Sequence, residues 1–182
     1  MTITIVRHGH TEENYLNHIQ GLSNNLMNDT GRRECQRLRS KLEHEHYDIC
    51  YMSPLVRTVE TAFILIGDRV ETVTDKRLIE RNMGELEGCD CALYDSKKYW
   101  DYNLNCSDQG VEPVQDIFKR CKEFLDYVMN KYPDGNILIV SHGSPVRAIH
   151  HLLKGTDLEH DNLLDVDICN CYVEKFDIGQ KK

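Results

Sequence analysis

Two stretches of this chain deliver a histidine to the end of an apolar run. Thr2 to Val6 (TITIV) leads into Arg7-His8-Gly9, and Ile137 to Val140 (ILIV) leads into Ser141-His142-Gly143. Imidazole titrates near neutrality, so a histidine can serve as a nucleophile or proton carrier at working pH. A single such histidine usually sits on the surface or in a satisfied core. Two in matched settings form a candidate reaction centre, provided the two runs lie side by side.

The elements that must position them alternate in type. TITIV is short, β-branched and uncharged, as a central buried strand requires. Asn28-Asp29-Thr30 offers a helix cap ahead of a stripe made by Cys35, Leu38 and Leu42. Tyr47 to Met52 reads as a second strand and Ser53-Pro54 as a helix start. Leu55 to Ile66 then reads as a helix turning Val59, Ala62, Phe63 and Ile66 inward. Val70 to Thr74 reads as a third strand. Pro113 opens a long helix that buries Ile117, Cys121, Phe124, Leu125 and Val128 and closes near Pro133-Asp134-Gly135. ILIV is the next strand, a helix follows from about Pro145 to Leu153, and Ile168 to Phe176 alternates like a final strand. This order predicts an α/β fold with a mostly parallel central sheet between helical layers. Ligand crevices in such sheets lie beyond the carboxyl ends of the strands. If TITIV and ILIV are neighbours, His8 and His142 face one another there.

The chain has 182 residues, which suits one domain over 1–182, and it shows no repeat, low-complexity tract or linker. No apolar run approaches the roughly 18 residues that span a bilayer, and the amino terminus lacks a basic-then-apolar leader, so a cytoplasmic protein is expected. Asp and Glu number 30 against 22 Lys and Arg, a net charge of -8, which disfavours nucleic acid or an anionic membrane as partner. Any basic pocket must be local. The 8 cysteines are expected to be free thiols of a reducing compartment. Cys89-x-Cys91 and Cys169-x-Cys171 would share a strand face, yet neither has the Cys-x-x-Cys spacing of zinc clips, and no metal site is expected. His10 follows the first motif; it and His44, His46, His150, His151 and His160 read as surface residues. Arg32, Arg33, Arg37 and Arg39 read as a solvated helix face.

Taken together, five pieces in a fixed order resemble the histidine phosphatase superfamily, the phosphoglycerate-mutase-like fold. They are Arg7-His8-Gly9 with Thr11 and Asn14; the GLSNNLMNDTG stretch from Gly21 to Gly31; Ser53-Pro54-Leu55 with Arg57, Thr61 and Ala62; Leu78-Ile79-Glu80 with Gly84, Glu87 and Gly88; and Ser141-His142-Gly143 with Arg147. The resemblance implies a three-layer α/β/α sandwich and a phosphoric monoester hydrolase of the histidine acid phosphatase type. His8 would attack phosphorus and carry a phosphohistidine. Arg7 and Arg57 would clamp the equatorial oxygens, because a guanidinium fork grips two oxygens and stays charged. His142 would donate a further hydrogen bond. Asn14, Gln20, Gly21, Ser144 and the amide of Gly143 at a helix start would complete the substrate site. Glu80 would protonate the leaving alkoxide. Glu85 and Glu87 lie close by as alternatives, and the Leu-x-Glu context favours Glu80 over them. No cofactor is implied, and the expected partner is a small-molecule phosphate ester. Asn24 and Leu26 stand where aspartate and proline are common in the family.

A mutase of this family must hold a doubly phosphorylated sugar acid and carries a longer, more basic insert after the acid glutamate. Here Leu93 to Val111 holds Lys97 and Lys98 but also Asp95, Asp101 and Asp108, and no arginine. A phosphatase is therefore expected, with a phosphotransferase of the mutase kind or an inactive phospho-ligand-binding module as alternatives. Tyr94, Tyr99, Trp100 and Tyr102 could flap over the non-phosphate part of a substrate or simply pack a helix.

Overall fold

The computed structural model describes residues 1–179, and in it the apolar runs become one sheet. In chain order the elements are β1 (Thr2–Arg7), the single turn α1 (Glu12–Tyr15), α2 (Asp29–Leu42), β2 (Ile49–Met52), α3 (Val56–Ile66), β3 (Thr72–Thr74), α4 (Ser96–Tyr99), α5 (Val114–Lys131), β4 (Asn136–Ser141), α6 (Gly143–Lys154) and β5 (Val173–Asp177). The strand order is β3-β2-β4-β1-β5. The first four strands run parallel, and β5 closes the edge antiparallel to β1.

Side chains alternate between the faces of a strand, so each central strand feeds two cores. Ile3, Ile5, Ile49, Tyr51, Ile137 and Ile139 pack on one face against α5 and α6, through Val114, Ile117, Phe124, Val146 and Ile149. Val6, Cys50, Met52, Leu138 and Val140 pack on the other against α2 and α3, through Leu38, Leu42, Ala62 and Leu65. The result is the expected α/β/α sandwich. Among the described residues no helix is long and apolar enough to cross a membrane.

Three local expectations are corrected. Phe63 is 66% exposed, because α3 is registered so that Thr58, Thr61, Ala62, Leu65 and Ile66 cover the sheet while Phe63 lies off that stripe. His151 is buried, its Nδ1 against Thr156 Oγ1 and its Nε2 against the Leu163 carbonyl, so α6 carries it inward. The last strand begins only at Val173. Residues Ile168 to Tyr172 instead cross the carboxyl end of β1, where their polar groups serve the site.

Candidate active site

The β1–β4 register pairs Arg7 with Ser141, so the next residue of each strand, His8 and His142, emerges at the same level. Their ring centroids lie 5.2 Å apart at 63°. The expected facing pair is therefore real, and it follows from adjacency of the two most apolar strands. The His8 amide donates to the Ser141 carbonyl at 2.9 Å, which fixes the two exits together.

His8 is buried, and its Nδ1 stands 2.8 Å from the Gly9 carbonyl oxygen. A carbonyl only accepts, so Nδ1 carries the proton and the lone pair of the neutral ring sits on Nε2. Burial pushes the His8 pKa well below the usual histidine range, and the charges of Arg7 and Arg57 push it further down. The ring is thus held as a free base, the form a nucleophile needs.

His142 is fully buried with both nitrogens engaged. Its Nδ1 accepts from Arg57 Nε at 3.2 Å, so its Nε2 donates to Ser53 Oγ at 2.7 Å. Burial and then the Arg57 charge depress its pKa as well. It stands behind Arg57 and does not line the pocket, so in this arrangement it offers no N–H of its own to a ligand. The residue expected to donate accepts from Arg57 Nε and packs edge-on against the His8 ring.

Arg57 sits on the first turn of α3, is fully buried, and donates Nη1 to the Ser23 carbonyl at 2.6 Å and Nη2 to the Gly21 carbonyl at 3.0 Å. Burial lowers its pKa to about 10, which leaves it charged at neutral pH. Gly21 has a φ of +51°, and a Cβ there would fall 2.1 Å from Glu87 Oε1, so only glycine fits this turn. The start of α3 is satisfied from afar: Asn24 Oδ1 accepts the Val56 amide at 2.7 Å. The asparagine that departs from the family pattern keeps an acceptor oxygen there. Arg7 donates Nη1 to the Ile168 carbonyl at 2.6 Å, while its buried Nε has no partner among the described residues.

Glu80 faces this group from the chain between β3 and α4. Its Oε1 accepts the Arg81 amide at 2.8 Å and the Ser144 amide, on the first turn of α6, at 3.1 Å. Ser141 Oγ donates to the Leu78 carbonyl at 2.7 Å and ties that segment to β4. The other two candidate acids do not line the pocket. Glu85 is exposed and outside the pocket, and Glu87 accepts from the Leu22 and Met83 amides, bracing the Gly21 turn.

A pocket of about 240 Å³ collects Arg7, His8, Asn14, Gln20, Gly21, Arg57, Glu80 and Ser144. Of the sequence-selected residues, His142 and Gly143 are not among those lining it, although a Cβ on Gly143 would fall 3.7 Å from Glu80 Oε2 and 3.9 Å from Arg7 Nε. Asn14 closes a capping box with Thr11, and Asn170 Nδ2 donates both to Asn14 Oδ1 and to the His8 carbonyl. Asn170 was not foreseen, since nothing in its local pattern marks it. His18, Ile19, Met83 and Cys91 complete the lining with Tyr94 and Trp100, two of the four candidate flap aromatics. Tyr99 instead stacks on Tyr94 at 5.2 Å, and Tyr102 packs edge-on against Phe118. Arg147, the last residue of the fifth motif, donates to the Leu163 and Val166 carbonyls. Among the described residues all 8 cysteines are free thiols, and no group of three or more His, Cys, Asp or Glu side chains is placed to hold a metal.

The chain matches the profile of the histidine phosphatase superfamily (branch 1) over residues 3–182. It is 29% identical over 163 residues to phosphoserine phosphatase 1 of Hydrogenobacter thermophilus, covering 86% of this chain and 77% of that protein. It is 28% identical over 192 residues to a 2,3-bisphosphoglycerate-dependent phosphoglycerate mutase of Cytophaga hutchinsonii, covering 98% and 88%. The structure of Bacillus stearothermophilus YhfR superposes with a TM-score of 0.86 at 26% identity, over 98% of this chain and 92% of that one.

Proposed function

Because this chain belongs to the histidine phosphatase superfamily, branch 1, we propose that it is a phosphomonoesterase working through a phosphohistidine on His8. His8 Nε2 attacks phosphorus in line with the ester oxygen; the N–P bond forms as the P–O bond breaks. Glu80 gives its proton to the departing alkoxide. Water then attacks the phosphohistidine, Glu80 takes the water proton, and phosphate leaves. Arg7 and Arg57 neutralise the equatorial oxygens, and Asn14, Gln20, Gly21 and the amide end of α6 at Gly143 and Ser144 hold the ester. His142 keeps Arg57 and the His8 ring in place, so its part is positioning.

The observation that carries this reading is the His8 tautomer. Nδ1 is anchored on Gly9, which leaves the Nε2 lone pair in a pocket that also holds two guanidinium groups and one carboxylate. At about 240 Å³ the pocket is smaller than the roughly 300–1,000 Å³ of drug-sized sites, which suits a small phosphorylated metabolite. As part of this reading we propose a cytoplasmic enzyme that acts on a small-molecule phosphate ester without cofactor, nucleic acid or membrane.

Release of inorganic phosphate from p-nitrophenyl phosphate tests it, comparing wild type with His8→Ala. Phosphate release that drops by about 1,000-fold or more in the variant is expected; unchanged release would remove His8 from its role. The mutase relatives supply a second reading. Isomerisation of 3-phosphoglycerate that depends on a bisphosphate primer would put that one first.

A further inference from the structure

The positive charge of the pocket is confined to its floor. Arg7, Arg57, Asn14, Gln20, Glu80 and Ser144 gather the polar groups around His8, and among the described residues the other side chains of the lining wall, those of His18, Ile19, Met83, Cys91, Tyr94 and Trp100, include no lysine or arginine. Two further guanidinium groups reach the back of that wall but are turned away from the cavity. Arg81 is fully buried and donates to the Glu112 carbonyl, Tyr94 Oη and the Tyr99 carbonyl. Arg147 donates to two backbone carbonyls. Their guanidinium carbons stand 5.5 and 5.3 Å from the Trp100 ring centroid, which fixes that ring as a rigid wall. Lys97 lines a separate hollow beyond Trp100, and Lys98 pairs with Asp108.

A second anionic group lying on that wall would therefore be stripped of water against mainly apolar side chains, with no lysine or arginine of the described residues on the wall to pair with it. Burying a charge unpaired is strongly unfavourable, whereas an apolar body gains from the same contact. Specificity of this kind arises as much from what a wall rejects as from what it attracts.

Resting on the hydrolase reading above, we infer that the alcohol half of the substrate is uncharged and mainly apolar, an aryl or alkyl body, selected by Ile19, Met83, Tyr94 and Trp100. Carboxylate-bearing esters such as phosphoserine and 3-phosphoglycerate are disfavoured by the same wall.

The test compares benzyl phosphate with O-phosphoserine and 3-phosphoglycerate, all esters of poor aliphatic leaving groups. A kcat/KM for benzyl phosphate higher by about tenfold or more is expected. Met83→Lys, which places a cation on the wall, should narrow that ratio by raising the carboxylate esters. Equal or higher kcat/KM for the carboxylate esters overturns the inference while the hydrolase reading stands. If no ester is turned over, the hydrolase reading fails separately, and dissociation constants measured by calorimetry on His8→Ala decide the inference: tighter binding of benzyl phosphate supports it, and equal, weaker or absent binding overturns it.

Discussion

The His8 and His142 rings stand edge to face, 5.2 Å apart at 63°, with Arg57 Nε bonded to His142 Nδ1. Two buried imidazoles beside fixed cations cannot both protonate without crowding positive charge into a dry site. Each is held below the ordinary histidine range, by burial first and by the arginines second. The His8 ring is therefore a free base well below pH 6.5, the usual value. The acid limb of kcat/KM for p-nitrophenyl phosphate should fall below that pH. A limb centred at pH 7 or higher would show that His8 is not held neutral.

The same shifts link stability to pH. His8, His142 and His151 all have folded pKa values below their unfolded value of 6.5. Under acid the unfolded chain binds protons that the folded one refuses, so stability is full above pH 6.5 and declines as pH falls from there towards the folded values. The urea midpoint should be lower at pH 5.5 than at pH 7.5. Carboxylates such as Asp48 and Asp75, depressed below 3.8, act only in a more acidic window. Identical midpoints would contradict neutral buried histidines.

Glu80 meets the Ser144 amide at the start of α6, whereas Glu85 is exposed and outside the pocket. Glu80→Gln should slow an alkyl phosphate by about 100-fold or more and p-nitrophenyl phosphate much less, because nitrophenolate departs without a proton. Glu85→Gln should behave as wild type on both. Equal slowing of both esters by Glu80→Gln would place the acid elsewhere.

Arg57 joins three parts that are distant in sequence: α3, the Gly21 turn and His142. Lysine cannot reproduce the fork. Arg57→Lys should lower kcat by about 100-fold. It should also lower the melting temperature, since buried carbonyls lose donors worth about 1–3 kcal/mol each. A variant with normal turnover would show that this guanidinium does not stabilise the transition state.

Phosphate release should be insensitive to EDTA, because each charge the reaction develops has a side chain to meet it. Activity lost on chelation and restored by added zinc would revive a metal reading built on the paired cysteines.

The alternation of elements, the apolar central strands, the helix caps and the pair of histidine-bearing strand exits were legible because they are local. A strand that is apolar on both faces must be central, and the residue after it must emerge at the sheet's carboxyl end. The five ordered motifs marked His8, Arg7, Arg57, Glu80 and His142, and the structure brings all five to one place. Phe63 and His151 depart from their expected faces because a helical stripe in sequence leaves its angle against the sheet open, and packing sets that angle.

The sequence by itself determined the fold class and the chemistry on offer: two imidazoles, two guanidinium groups and an acid. Tertiary structure decided what each atom does. It anchored His8 Nδ1 on Gly9 and so put the lone pair on Nε2, set His142 Nδ1 against Arg57 Nε, and separated Glu80 from Glu87. It also turned Arg81 and Arg147 onto backbone carbonyls. These outcomes depend on hydrogen-bond partners tens of residues away, and a charge's meaning changes with what surrounds it. Local pattern names the groups; only long-range packing fixes their partners and their water.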